Sequence, residues 1–173
     1  MHRIRSRILR SAARRPWFVW FGRLVIRPVD LAARRLGLAL RLRRPLSAVV
    51  AGVPGAYLVT VGRRTGQRRT TPVVPIDVPF GVGVIASNWG QERRPGWYHN
   101  LVAEPRCLLD RGGEVRAHRA RRATDEERAT IWQRATAIYP AWEAYDARTA
   151  RELDVFLLEP VEEPQADGAG KPR

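Results

Sequence analysis

The stretch VGRRTGQRRTTPV (61–73) sets Arg63, Arg64, Arg68 and Arg69 around one short turn, with two glycines and no acid. Guanidinium groups are planar, often bidentate donors to phosphate and carboxylate. A glycine-containing turn can add backbone N–H groups in an anion-binding nest. The chemistry predicted is capture of an anion at a hairpin; a solvated basic turn is the alternative. A second stretch, ASNWGQERRPGWYHNL (86–101), leads from Ser87 to a helix that opens at Gly96. Helix N-termini attract anions through unpaired N–H groups and the helix dipole, and Arg93 and Arg94 stand just before this one. Trp97 and Tyr98 offer aromatic surface with one polar handle each. His99 reads as a base or as a structural ring. In a third stretch Tyr139, Trp142 and Tyr145 follow one another at spacings of three. They either seal one end of the domain or roof a pocket for a flat ligand.

Protein-borne covalent chemistry has no foothold. There is no Ser/His/Asp arrangement, no paired carboxylate at a plausible position and no phosphate-loop lysine; the one lysine, Lys171, is near the C-terminal end. Any reaction therefore belongs to a bound cofactor. His2, His99 and His118 fall in unrelated contexts, so no metal site is expected. The single cysteine, Cys107, excludes an intrachain disulfide and fits a reducing, cytoplasmic setting.

The elements that must position these residues are short. Ala56–Val61 reads as a buried strand and 69–77 as its hairpin partner. Pro72 and Pro75 confine that partner to an edge or a bulge. Further strands are expected over 82–87, 106–110, 115–123 and 155–159. Pro95 opens a helix over Gly96–Ala103. Thr124 and Glu127 form a capping box for a helix with Ile131, Trp132, Ala135, Ile138 and Tyr139 on one face; Pro140 ends it. Six strands with few, irregularly placed helices predict an α+β fold, mainly antiparallel β: a split barrel with flanking helices.

The 173 residues carry a formal net charge of +14. Residues 1–44 hold 13 arginines and one acid, whereas residues 45–173 are nearly balanced, with 18 basic and 16 acidic residues. This uneven distribution argues against a nucleic-acid partner. The basic segment reads as an amphipathic helical arm, with Trp17, Trp20, Phe21 and Leu24 at helical spacing and Pro28 ending its first helix. Arginines interrupt every apolar run, so neither a membrane span nor a signal peptide is expected. The arm either packs on the barrel or lies on a membrane surface, and the two are compatible. Residues 45–160 form the expected barrel domain. The segment 161–173 reads as a disordered tail.

The motifs G-R-x-[ST]-G-x-x-R-T-x-P (62–72) and P-x-W-Y-x-N-L (95–101), followed by ATDEERATIWQRATAIYPAWEAYDART (123–149), resemble the deazaflavin-dependent nitroreductase family of actinobacteria. These are split-barrel oxidoreductases that use coenzyme F-420. The resemblance spans about residues 16–160. It implies that Arg63, Arg64, Thr65 and Arg69 hold the phosphate and glutamate tail of the cofactor. Thr70, Thr71, Pro72, Val73 and Val74 would run along the cofactor, and Ile85, Ala86, Ser87 and Asn88 would lie beside the deazaflavin. Gly96, Trp97, Tyr98, His99 and Asn100 would stand near the phosphate. Tyr139, Trp142 and Tyr145 would border the substrate. Val74, Trp89 and Trp142 depart from residues common in the family, and all three belong to the expected acceptor pocket with Tyr145.

The implied reaction is hydride transfer from the reduced cofactor to an electron-poor acceptor: a quinone, an enone or a nitroaromatic. Ser87, Tyr139 and Tyr145 are the candidate donors to charge developing on that acceptor. FMN is the alternative cofactor, since split barrels also bind FMN or haem. A non-catalytic membrane-binding module is the alternative in kind. A monomer or a homodimer fits equally.

Overall fold

The computed structural model of the chain describes residues 44–161; the expected arm helices and the polar tail lie outside them. The chain forms α1 (Leu46–Ala51), β1 (Ala56–Val61), β2 (Arg68–Val73), β3 (Ile76–Val78) and β4 (Gly81–Ile85). A 3₁₀ turn (Asn88–Gly90), α2 (Gly96–Ala103), β5 (Arg106–Arg111) and β6 (Glu114–Arg122) follow. The chain then completes α3 (Asp125–Ile138), α4 (Ala141–Asp146) and β7 (Val155–Pro160). Among the described residues no helix is long and apolar enough to cross a membrane.

The expected second strand, 69–77, is two strands rather than one. Proline has no N–H to give a ladder, and the pairing breaks at Val74 and Pro75. β2 pairs with β1, β3 pairs with β4, and every pairing is antiparallel. The sheet order is β2-β1-β5-β6-β7-β4-β3, so two strands adjacent in sequence occupy opposite edges. In a flat sheet those edges would stand about 29 Å apart, given about 4.8 Å between neighbouring strands. The link from Val73 to Ile76 reaches at most about 11 Å. The sheet must therefore curl until its edges meet, which makes the seven strands a split barrel. The expected third strand also shortens: β4 stops at Ile85, and Ser87 leaves the sheet. Helix α1 answers to no expectation from the sequence.

Strands β4 and β7 are buried on both faces. Ile85, Val155 and Leu157 pack into a cluster with Ile131, Ala135, Trp142 and Tyr145 of α3 and α4. Val84, Ala86, Phe156 and Leu158 point the other way, into a cluster with Trp97, Tyr98 and Leu101 of α2. The alternation follows from the two-residue period of a strand. On α3, Ile131 and Ala135 are fully buried while Ile138 is exposed, so the apolar face is narrower than its sequence suggested. The capping box forms, with Thr124 Oγ1 accepting from the Glu127 N–H at 3.3 Å and Glu127 Oε2 accepting from the Thr124 N–H at 2.8 Å. Arg121 of β6 grips Glu127 at 2.6 Å and Glu159 of β7 at 2.8 Å. These hydrogen bonds, Arg121 foremost, hold the Glu127 carboxyl down to about 2.

Helix α3 lies directly on β4. A Cβ at Gly83 would stand 2.5 Å from Ile131 Cγ2. Gly83→Ala is expected to destabilise the fold by about 1–3 kcal/mol through overpacking, read as a lower urea midpoint with an unchanged slope. A variant as stable as the wild type would mean that α3 does not seat on this strand.

Candidate functional site

A cleft of about 780 Å³ opens along β2 and the ends of β4 and α2. That volume lies in the range of cofactor sites. One end is basic. Arg63, Arg64, Arg68, Arg69 and Arg93 all line it and are exposed. None of the five forms an ion pair among the described residues. The opposite end is aromatic and apolar, with Val74, Ile85, Trp89, Tyr139, Trp142 and Tyr145 in its wall. Strand β2 and Val74 connect the two ends.

The basic turn is held rigidly, but the expected backbone nest is mostly spent. The Gly62 N–H donates to Gln67 O at 2.8 Å, and those of Thr65 and Gly66 to Gly62 O at 3.0 and 2.8 Å. The Gln67 N–H donates to Thr65 Oγ1 at 3.4 Å. The Arg63 N–H donates to Asn100 Oδ1 at 3.2 Å. Only the Arg64 N–H of this turn lacks a partner among the described residues. An anion at this turn would therefore meet guanidinium groups rather than backbone amides.

Asn100 works as a bracket. Its Oδ1 takes the Arg63 N–H, and its Nδ2 donates to the buried Thr60 Oγ1 at 3.0 Å. It thus ties α2 to the end of β1 and the turn, and both ends of its amide are engaged by protein. Helix α2 has Pro95 at its N-cap and no side-chain cap. The two arginines before it divide. Arg94 Nε meets Asp154 Oδ2 at 2.7 Å, and its guanidinium lies 5.0 Å from the Tyr98 ring centre; Arg93 lines the cleft and forms no ion pair among the described residues.

Two residues expected along the cofactor do not line the cleft. Ala86 is fully buried, because alternation along β4 turns it toward Phe156 and Leu158. The Tyr98 ring packs edge-on to Phe156 at 5.6 Å, and its hydroxyl accepts from Arg122 Nη2. The remaining expected residues do line it: Arg63, Arg64, Thr65, Arg69, Thr70, Thr71, Pro72, Val73, Val74, Ile85, Ser87, Asn88, Trp89, Gly96, Trp97, His99, Asn100, Tyr139, Trp142 and Tyr145. Sequence reasoning missed one wall altogether, formed by Pro45, Ser47, Ala48, Ala51 and Val53 in and around α1. It also left Arg68 and Arg93 out of the site, although both stood in stretches already singled out for anions.

At the aromatic end Tyr139 Oη and Tyr145 Oη are 3.3 Å apart. Burial pushes the Tyr139 phenol above its ordinary range, and burial together with Tyr139 pushes Tyr145 up further. Both stay protonated at neutral pH. One hydroxyl donates to the other, which leaves one O–H to aim elsewhere. The buried indole N–H of Trp142 has no partner among the described residues, a deficit worth about 1–3 kcal/mol when nothing satisfies it. Ser87 lines the cleft beside them and is 8% exposed. Its loop carries Asn88 and Trp89 at φ of 45° and 62°, the left-handed region that few non-glycine residues enter.

A curled antiparallel sheet with a cofactor-sized cleft along its edge places the chain in the split-barrel class. The particular family follows from residues 40–160, which match the family model of the F420H(2)-dependent quinone reductases; the chain belongs to that family. It is an F-420-dependent oxidoreductase, and coenzyme F-420 is its cofactor. Among its relatives is the Mycobacterium tuberculosis protein Rv3178, 32% identical over 108 residues that cover 62% of this chain and 91% of that one. The F420H(2)-dependent quinone reductase Rv1261c of the same organism is also 32% identical over 108 residues, covering 61% of this chain and 72% of that one. The solved F420-H2 dependent reductase FDR-A shares 30% identity with a TM-score of 0.57, over 61% of this chain and 94% of that one.

Burial holds the His99 imidazole below its ordinary pKa, helped by Arg63, Arg94, Arg93 and Arg64. The free protein thus keeps His99 neutral down to a lower pH than a free imidazole. An anion bound among these arginines offsets their field, so it should raise the His99 pKa and bind more tightly as pH falls from 8 to 6. Imidazole nitrogen shifts followed by NMR across that range, with and without oxidised F-420, check this. A His99 pKa that is unmoved or lowered by the ligand would mean that the anion sits elsewhere.

Proposed function

We propose that this chain reduces a quinone, using a hydride from reduced coenzyme F-420. The reading rests on one observation: unpaired arginines and protonated phenols stand at opposite ends of a single cleft. The cofactor is long, with an anionic tail and a flat ring, and the residues present fit both parts. Arg63, Arg64, Arg68, Arg69 and Arg93 would hold the phosphate and the carboxylate tail. Thr70 to Val74 would run along the ring, with Ile85, Ser87 and Asn88 on its other side. FMN carries a single phosphate, which would leave most of these cations unmatched.

When bound and reduced, the coenzyme supplies two electrons as hydride. The chain itself orients two flat molecules, excludes water and answers the charge that develops on the acceptor. A quinone carbonyl oxygen gains negative charge as hydride arrives, and it needs a hydrogen-bond donor. The Tyr139–Tyr145 pair retains its protons at neutral pH and has one O–H to offer. Ser87 offers a second donor, and the unsatisfied Trp142 N–H suits an acceptor oxygen. Val74, Trp89 and Trp142 make this end bulky and apolar, which favours a fused-ring quinone over a small enone or nitroaromatic. Peripheral membrane contact through residues 1–44 fits the same acceptor class, because lipophilic quinones reside in membranes. The arm's arginines, interleaved with Trp17, Trp20 and Phe21, support it.

The double variant Arg63→Gln/Arg69→Gln is expected to weaken binding of F-420 by at least about tenfold, since hydrogen bonds to charged groups are worth roughly 1.5–3 kcal/mol each. Surface charges are screened by salt, so the gap between variant and wild type should narrow at high ionic strength. Equal affinities at low salt would remove the turn from the cofactor site.

A further inference from the structure

The wall that carries Ser87, Asn88 and Trp89 is braced from within, by the Gly90 N–H on Ser87 O at 2.9 Å and Asn88 Nδ2 on Arg93 O at 2.7 Å, and also from outside. Asn88 and Trp89 both have left-handed backbone conformations, which is costly for residues with a Cβ. The loop that makes this turn is grasped from behind by one side chain. Arg151, whose side chain is only 9% exposed, donates from Nη2 to Ala86 O at 2.9 Å and to Ser87 O at 3.2 Å. Its Nε donates to Gln91 O at 3.0 Å. The same guanidinium thus fixes the carbonyls at the start and at the end of the loop. Its Nη1 donates to Glu152 O at 3.3 Å, and its nearest carboxylate oxygen, on Asp154, is 3.8 Å away. That Asp154 oxygen is already taken by Arg94 at 2.7 Å.

The front of the loop is constrained as well. Gly90 lies under α4, where a Cβ would come within 2.7 Å of Tyr145 O, and the Trp89 ring meets the Tyr145 ring edge-on at 6.2 Å. A shift of the loop therefore moves Ser87 and Trp89 and disturbs the packing of Tyr145. Arg151 holds this loop through backbone carbonyls, so the contact fixes backbone position and does not engage the Ser87 and Trp89 side chains.

We infer that Arg151 is a positioning residue for the acceptor end of the cleft, acting through the carbonyls of Ala86, Ser87 and Gln91. The basic end, some distance along β2, does not depend on it. This inference builds on the functional reading above, since the acceptor end has a role only if an acceptor binds there. Arg151→Met fills the same space without donors, and Arg151→Lys keeps the charge with fewer, differently directed donors.

The test combines three measurements on the full chain: menadione reduction at saturating reduced F-420, the Kd for oxidised F-420, and amide hydrogen exchange over residues 87–91. The expected result for Arg151→Met is a fall in kcat of about 10²-fold, the scale of a small misplacement of reacting groups. The Kd should rise far less than kcat falls, because the arginines of the β1–β2 turn stand clear of this loop, and exchange should quicken in 87–91 alone. Arg151→Lys should recover part of each loss. Protection of 87–91 like that of the wild type in both variants, or a kcat within about twofold of the wild type, overturns the inference. So does a kcat that falls only in step with Kd and Tm. A wild-type chain that binds no F-420 overturns the functional reading instead, and amide exchange still decides the role of Arg151. If Arg151→Met does not fold, the Lys variant carries the same three readouts.

Discussion

Val74 and Pro75 join strands at opposite edges of a seven-stranded sheet, and two residues cannot span a flat one. Because proline offers no N–H, the ladder is cut at that point rather than continued, and the chain leaves β1 to join β4. Closing the sheet brings the Arg-rich β1–β2 turn, the end of β4 and the start of α2 around one cleft. It also makes β2 an edge strand along that cleft, with Thr70 to Val74 leading from cations to aromatics. The geometry of the site is a consequence of this crossing.

The two ends of the cleft are stabilised differently, in keeping with what each must do. The basic end is a surface turn whose backbone is mostly satisfied by protein and whose guanidinium groups form no ion pair among the described residues. Other arginines hold the fold together, among them Arg94, Arg121 and Arg151, each with protein partners. The aromatic end is built into the core, since Trp142 and Tyr145 belong to the cluster that seats α3 and α4 on the sheet. Burial keeps the phenols protonated and leaves the Trp142 indole N–H without a partner among the described residues. Such arrangements cost stability, and functional sites are where they are retained.

Much of this was legible in the sequence, where the signal was local. The turn, the helix Gly96–Ala103 and the capping box at Thr124 each depend on residues within a few positions of one another, and each appears where its residues predict. The arginines were visible for the same reason. The strand break at Pro75 was half legible: proline demoted the strand to an edge, but nothing local says that the next three residues pair across the barrel. The contacts of Arg151 with Ala86, of Arg94 with Asp154 and of Asn100 with Thr60 span 65, 60 and 40 positions. A propensity or a period has no access to such pairs. Ala86 and Tyr98 entered the expected site through the family resemblance, which took whole segments together, but strand alternation and helix rotation point them into the core.

The central claim is that the basic turn exists to hold the anionic tail of a deazaflavin. Titration of the full chain with oxidised F-420 and, separately, with FMN, each followed by cofactor fluorescence at low and high salt, tests it most directly. The account predicts saturable binding of F-420 at micromolar concentration or below, weakened by salt, with FMN binding far more weakly. Preferential binding of FMN, or binding of F-420 that salt does not change, would contradict it.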